Sequence, residues 1–449
     1  MERRNFLWGA ATAAHQVEGD NQHSDWWRWE KEGNIEGGAL SGKACDHWRL
    51  FREDLQLAKS LGLNSYRFSI EWAKIEPVQG EWNEEAFAWY DSLLQECEKL
   101  EIVPMITLHH FTLPAWMADK GGFAVKESIT HFVRFASEVI RRFGDRIPLW
   151  CTFNEPLVLC LGAYLGGFMP PAKNNPELIG VASRNILDAH ALTYDLLHRR
   201  RKKRLGPFAH FPLEVGIAHN MMDFLPDRVW HPIEQIVAGA LDRFYNRAWL
   251  DAITGAKQNF GLLGLIKAPE QNKMLHGHRT ADYIGVNFYT KAFVRWKPRD
   301  SGEGVITQLP LGVSFARKEE PQSDMGWAIH PDGLRKALEC AASYNLPIYV
   351  TENGIADRAD RYRRGYIFDH LLEISKANEN GANIRGFYYW SLLDNFEWSK
   401  GFGPRFGLFE VDYETKERKA RASALAYRDI IRAHEGTAAP QADILKSLR

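Results

Sequence analysis

The feature that most constrains this chain is an alternation repeated from end to end, in which a short run of apolar, mostly β-branched or aromatic residues is followed by a longer amphipathic stretch. The short runs lie at 6–13, 65–70, 103–108, 149–153, 215–218, 283–289, 348–351 and 386–390. Their length and residue types read as buried strands. The longer stretches, at 48–61, 84–100, 128–143, 183–200, 233–253, 331–344, 362–380 and 417–434, read as helices. Asn83 ahead of Glu84-Glu85, and Pro331 in a first turn, are residues that start helices well. Eight strand–helix repeats in 449 residues predict a single (β/α)8 TIM barrel over 1–449, with elaborated βα loops. A doubly wound open sheet is the competing architecture, but no GxGxxG follows the first strand and no linker composition divides the chain. Two loops are long, 20–46 and 297–326, the second polar and without periodicity. Loops at the C-terminal ends of strands are where barrels build their sites. The segment 436–449 is expected to be a loosely ordered tail.

Charge and cysteine usage narrow the function classes. A net charge of −1 argues against a nucleic-acid partner. The basic run 199–204 falls at a predicted helix C-terminus, where cations suit the dipole and the solvent. Cys45, Cys97, Cys151, Cys160 and Cys340 are odd in number and show neither a CxxC pair nor metal-ligand spacing. Together with an N-terminus lacking an apolar signal region, they lead to the expectation of a reduced, cytoplasmic protein. No apolar run is long enough to span a membrane. No metal or organic cofactor is expected, since neither a ligand cluster nor a nucleotide loop is present. The 16 Trp are explained mostly by core packing, although aromatic faces in a cleft also suit the apolar faces of sugar rings.

Two apolar runs end in an acid. Ile348-Tyr-Val-Thr351 runs into Glu352 and the turn Asn353-Gly354, and Leu149-Trp-Cys-Thr-Phe153 runs into Asn154-Glu155. A carboxylate at the end of a buried strand pairs, shifts its pKa or reacts. Other polar residues fall at the same strand ends: Gln16 and Glu18, Arg67, His109 and His110, Asn287 and Tyr289, and Asp394, Asn395, Glu397 and Trp398. Any one of them could be a satisfied core group, but their recurrence at one face of a barrel points to a site. Two opposed carboxylates suit glycoside hydrolysis, a retaining mechanism needing them about 5–5.5 Å apart and an inverting one about 6.5–9.5 Å. Arg67 and Tyr289 are placed to keep one carboxylate ionised, and a like charge helps the other to hold its proton.

The chain resembles glycoside hydrolase family 1, the β-glucosidase family, from Phe6 to about Tyr427. The resemblance rests on Phe6-Leu-Trp-Gly9 with Gln16-Val-Glu-Gly19, Thr152-Phe-Asn-Glu-Pro156 and Val350-Thr-Glu-Asn-Gly354. It implies a retaining exo-acting β-glycosidase with Glu155 as acid/base and Glu352 as nucleophile, supported by Arg67, Asn287 and Tyr289. It further implies a glycone pocket of Gln16, His110, Asn154, Trp390, Glu397, Trp398 and Phe406, with Trp327 on the aglycone side. The expected substrates are small β-glycosides such as cellobiose, with a place in cellulose degradation, or aryl β-glucosides, with galactosides and fucosides as secondary ones. Glu397, Pro404 and Phe406 stand where the 6-phospho-glycosidase branch has Ser, Lys and Tyr, which argues for an unphosphorylated sugar. Three positions depart from the family pattern: Phe111 and Phe123, where Trp is common, and Phe168-Met-Pro-Pro171 in place of a segment ending Ala-Pro-Gly. Transglycosylation is the alternative outcome on the same residues, and a non-catalytic sugar-binding barrel is the remote one.

Overall fold

The computed structural model describes residues 6–200, 204–255, 262, 278–296 and 311–449. Eight parallel strands form the barrel: β1 (Leu7–Ala11), β2 (Ser65–Ser69), β3 (Val103–His109), β4 (Leu149–Asn154), β5 (Glu214–Pro226), β6 (Ile284–Trp296), β8 (Ile348–Asn353) and β9 (Ile384–Trp390). They pair in the order β5-β4-β3-β2-β1-β9-β8-β6, and a β5–β6 pairing closes the ring. Between β6 and β8, a short strand β7 (Leu311–Ser314) adds antiparallel to the outer half of β6. The expected barrel is therefore present, and closure removes the edges an open doubly wound sheet would leave.

Alternation along each strand builds two apolar layers. Trp150, Ile348, Val350, Phe387 and Tyr389 point outward and pack with helix residues such as Leu55, Phe132, Ile186 and Leu371. Leu7, Met105, Leu149, Tyr283, Tyr349 and Tyr388 point inward and fill the barrel. Gly9 makes room for this filling: a Cβ there would lie 2.4 Å from the Tyr388 ring.

Four expectations change. The strand at 215–218 is part of β5, and that at 283–289 enters β6 from Ile284; both strands project beyond the barrel as a paired ribbon. The outer half of β5 is only partly buried, so its sequence lacks an apolar strand signal. The helix expected over 233–253 is broken into Pro232–Asp242, a π-helical turn Arg243–Arg247, and Ala248–Thr254. Asn246 causes the break locally, since its side chain accepts from the Met222 N–H and donates to the Met222 carbonyl (2.9 and 2.8 Å). The helix expected from 417 begins at Ala422, because Arg418–Ala420 pairs with Phe409–Val411 in a two-stranded ribbon. Arg418 is turned inward onto the buried Asp54 (2.7 Å) instead of facing solvent. The tail is not loose: Ala442–Ser447 is a helix with Leu445 buried.

Of the two long loops, 20–46 contains a helix at Asp25–Lys31, capped by the Ser24 side chain. In the other, 297–310 lie outside the described residues and Leu311–Ser314 forms β7. The basic run ends its helix at Arg199. Arg199 pairs with Asp195 and Arg200 with Asp145, while 201–203 lie outside the described residues. The five cysteines are all unpaired. Among the described residues no helix is long and apolar enough to cross a membrane.

Candidate active site

The two glutamates reach the C-terminal mouth of the barrel by breaks in strand regularity. Strict alternation would aim Glu352 outward with Ile348 and Val350. A register shift between Val350 and Asn353 intervenes, matched on the β6 side between Val286 and Asn287. A bulge of this kind re-aims the side chains beyond it. In β4 a shift between Cys151 and Asn154 leaves Phe153 in the outer layer and turns Asn154 inward. Glu155 then takes a left-handed backbone (φ +42°), and Pro156 opens the next helix. Gly354, just past Glu352, is held to glycine by close approach, since a Cβ would lie 1.8 Å from the Trp390 carbonyl oxygen.

Arg67 organises the polar centre. Its fully buried guanidinium donates to Glu352 Oε1 (2.6 Å), the Thr351 carbonyl (3.1 Å), Thr107 Oγ1 (3.1 Å) and Asn154 Oδ1 (2.7 Å). The Tyr289 hydroxyl donates to Glu352 Oε2 (2.7 Å), so both oxygens of Glu352 are held. Arginine has no acceptor, and that fact propagates through its neighbours. The Asn154 atom facing Arg67 must be oxygen. It therefore also accepts from Asn287 Nδ2 (3.1 Å), and that same amide donates to Glu155 Oε1 (2.8 Å). On its other side Asn154 Nδ2 must donate, so His110 Nε2 accepts (3.1 Å). His110 is then the neutral tautomer with its proton on Nδ1. Burial, with the Arg67 charge second, keeps its pKa well below the usual histidine range.

Glu155 lives in a different environment. It is 7% exposed and pairs with no cation among the described residues, and Oε1 receives two amide N–H groups, from Asn287 and Asn220 (2.8 and 2.9 Å). Burial and the charge of Glu352 raise its pKa to about 7, against the pull of the two amides and Arg67. One carboxylate is thus locked in an ion pair while its neighbour holds a proton near neutrality, an arrangement that can attack from one and deliver a proton from the other. Asn220 and its partner Tyr245 escape sequence reasoning: Asn220 sits in the outer part of β5, which has no apolar period, and Tyr245 in a π-helical turn that periodicity reads as unbroken helix.

The other expected residues surround this pair. Gln16 Nε2 donates to Asn395 Oδ1, the Phe396 carbonyl and Glu397 Oε2, and its buried Oε1 has no partner among the described residues. The Trp390 indole N–H donates to Glu397 Oε1 (3.3 Å). Burial drives the Glu397 pKa up to about 8, opposed by Trp390 and assisted by Glu352. Trp398, left-handed at φ +51°, lies nearly parallel to both His15 and His110. Phe406 groups with Trp327 and Tyr289, ring centroids 6.1–6.4 Å away. Beside Met325, a recess of about 350 Å³ is lined by Glu36, Asp324, Arg358 and Lys400, with Pro404 on its wall.

Some polar residues at the strand ends serve the scaffold. Glu18 binds Lys74 and Tyr90, and Asp394 takes two bonds from Arg421. His109 packs among Phe123, Phe132 and Phe153. The family departures converge, because Phe111, Phe123, Pro170 and Pro171 all wall one cavity of about 50 Å³.

Comparison with known proteins agrees with this geometry. The family model of glycosyl hydrolase family 1 matches residues 2–436. The chain is 32% identical to beta-glucosidase A of Acetivibrio thermocellus, over 96% of this chain and 98% of that one. It is equally 32% identical to a 6-phospho-beta-galactosidase of Streptococcus equi subsp. zooepidemicus, over 95% and 97%. Among solved structures, a beta-glycosidase from Pyrococcus horikoshii superposes with a TM-score of 0.84 at 39% identity, over 99% of this chain and 96% of that one. With matches of this extent, from both sequence and structure, the chain belongs to glycosyl hydrolase family 1.

Proposed function

We propose that this glycoside hydrolase works as one unit over its whole length, removing terminal β-D-glucosyl residues with retention, and accepting β-galactosides and β-fucosides as secondary substrates. The observation that carries the reading is the unequal treatment of two neighbouring carboxylates, Glu352 ion-paired with Arg67 and Glu155 holding its proton to about pH 7. In the first step Glu352 attacks the anomeric carbon while the Glu155 proton passes to the glycosidic oxygen, and the aglycone leaves as an alcohol. In the second, Glu155, now a carboxylate, takes a proton from water; the water oxygen bonds to the anomeric carbon and Glu352 is released. Esterification of Glu352 removes the charge that helped Glu155 keep its proton, which suits the change from acid to base.

Arg67, Tyr289 and Asn287 support the pair. Gln16 Oε1, the His110 Nδ1–H, the remaining Asn154 amide hydrogen, Glu397 and the Trp398 indole N–H are assigned to the sugar hydroxyls, and Trp390 is assigned to the face of the ring, with Phe406 beside it. Trp327 and the recess beside Met325 are assigned to the aglycone. A 6-phosphate is disfavoured, because Pro404 offers it no cation and Lys400 is already paired with Glu36 (2.7 Å). Cellobiose and aryl β-glucosides fit such a site, placing the enzyme at the last step of cellulose breakdown in the cytoplasm, where its unpaired cysteines would stay reduced. Transglycosylation, with a sugar or alcohol replacing water, uses the same residues and is read from products at high acceptor concentration. Proton NMR of the first-formed sugar tests the reading. The β-anomer is expected, and an α-anomer would overturn retention.

A further inference from the structure

The acid/base assignment leaves one arm of the site unexplained. Asn220 Nδ2 donates to Glu155 Oε1 (2.9 Å), and behind it the Tyr245 hydroxyl donates to Asn220 Oδ1 (2.7 Å). Tyr245 comes from the π-helical turn Arg243–Arg247, which is clamped to β5. His219 Nε2 meets the Tyr245 carbonyl (2.8 Å), and Asn246 bonds both backbone groups of Met222. The π turn thus has a local cause and a consequence: it carries the Tyr245 hydroxyl over the barrel mouth. Single π turns of this kind often lie at functional sites.

Resting on the reading of Glu155 as acid/base, we infer that Tyr245 and Asn220 are positioning residues that dictate which oxygen of Glu155 carries the transferred proton. Asn287 cannot turn its amide, because Arg67 fixes it through Asn154. Among the described residues, Asn220 has no such anchor other than Tyr245. With the tyrosine donating, the amide N–H₂ must face Glu155, so Oε1 takes two hydrogen bonds and the proton is left to Oε2. The groups facing Glu155 are the charges of Glu352 and Arg67, the Tyr245 and Tyr289 hydroxyls, and the two amides. Among these, the relay is the one arm that can be loosened without touching Glu352 or its ion pair.

The test is Tyr245→Phe, which removes one oxygen and keeps the ring against Phe224. It is paired with Asn220→Ala and the double variant. Losing a donor to the carboxylate favours its protonated form. The alkaline limb of kcat/KM is expected to rise by about half a pH unit in Tyr245→Phe and about one in Asn220→Ala. The double variant should match Asn220→Ala, because the tyrosine acts only through the amide. Hydrolysis of an alkyl β-glucoside, which needs a well-placed proton, should fall about tenfold in Tyr245→Phe, a larger loss than that on p-nitrophenyl β-glucoside, whose leaving group depends less on the proton. A limb that stays put while the melting temperature drops, or shifts that add in the double variant, would overturn the relay. Glu155→Gln separates this from the parent reading. If its alkaline limb persists, Glu155 is not the acid; if that limb vanishes yet Tyr245→Phe leaves it unmoved, only the relay fails.

Discussion

A protonated Glu155 predicts a stability change that depends on pH, and Glu155→Gln exposes it. In the unfolded chain this carboxyl titrates near 4.5, and in the folded protein it holds its proton to about pH 7. The contribution of this carboxyl to folded stability is therefore full below pH 4.5, falls as pH rises from there, and levels off above 7, once both states are ionised. The difference between 4.5 and about 7 corresponds to roughly 3 kcal/mol opposing folding at pH 8–9. Glutamine has the same shape and no charge. Its single oxygen can take both amide donors that now converge on Oε1, and its own N–H₂ would point to the cleft. With an unfolding entropy of about 2.1 cal/mol/K per residue, a protein of this size gains about 3 °C in Tm from 3 kcal/mol. Thermal melts of both proteins from pH 4 to 9 should coincide at pH 4 and separate by about 3 °C at pH 9, the variant melting higher. An equal gain at both ends, or a loss at pH 9, would refute the claim that the fold holds this carboxyl protonated.

Three further predictions concern activity. Glu352→Ala should lower p-nitrophenyl β-glucoside hydrolysis by about 10⁴-fold or more, with azide or formate restoring turnover to an inverted product; failure of rescue would count against Glu352 as nucleophile. For the intact enzyme, kcat/KM on an alkyl β-glucoside should fall tenfold per pH unit above about pH 7, because only protonated Glu155 can assist the leaving oxygen. Joint replacement Glu397→Ser, Pro404→Lys and Phe406→Tyr should raise the ratio of 6-phosphoglucoside to glucoside turnover by about a hundredfold, since it supplies one ammonium and two hydroxyl donors to the phosphate. A ratio that does not move would show that phosphate discrimination lies elsewhere on the rim.

Much of this site was legible because its residues are chemically out of place. An acid closing the run Ile348-Tyr-Val-Thr351, and another closing Leu149-Trp-Cys-Thr-Phe153, are visible without coordinates. What strand periodicity cannot convey is where those acids point. Alternation places Glu352 with Ile348 and Val350 against the helices, and the register shift beyond Val350 reverses that. The same limit hid Asn220, whose strand is half-buried beyond Ala218, and Tyr245, whose helix looked unbroken until Asn246 took the backbone groups of Met222. Both blind spots have one physical origin. A regular strand or helix satisfies its own backbone and shows a period, whereas a bulge or π turn breaks the ladder so that a side chain can be re-aimed. Here those breaks recur at the two glutamate-bearing strands and at the turn that reaches Glu155. The same irregularity that blurs the pattern is what turns a barrel rim into a pair of carboxylates with unequal duties.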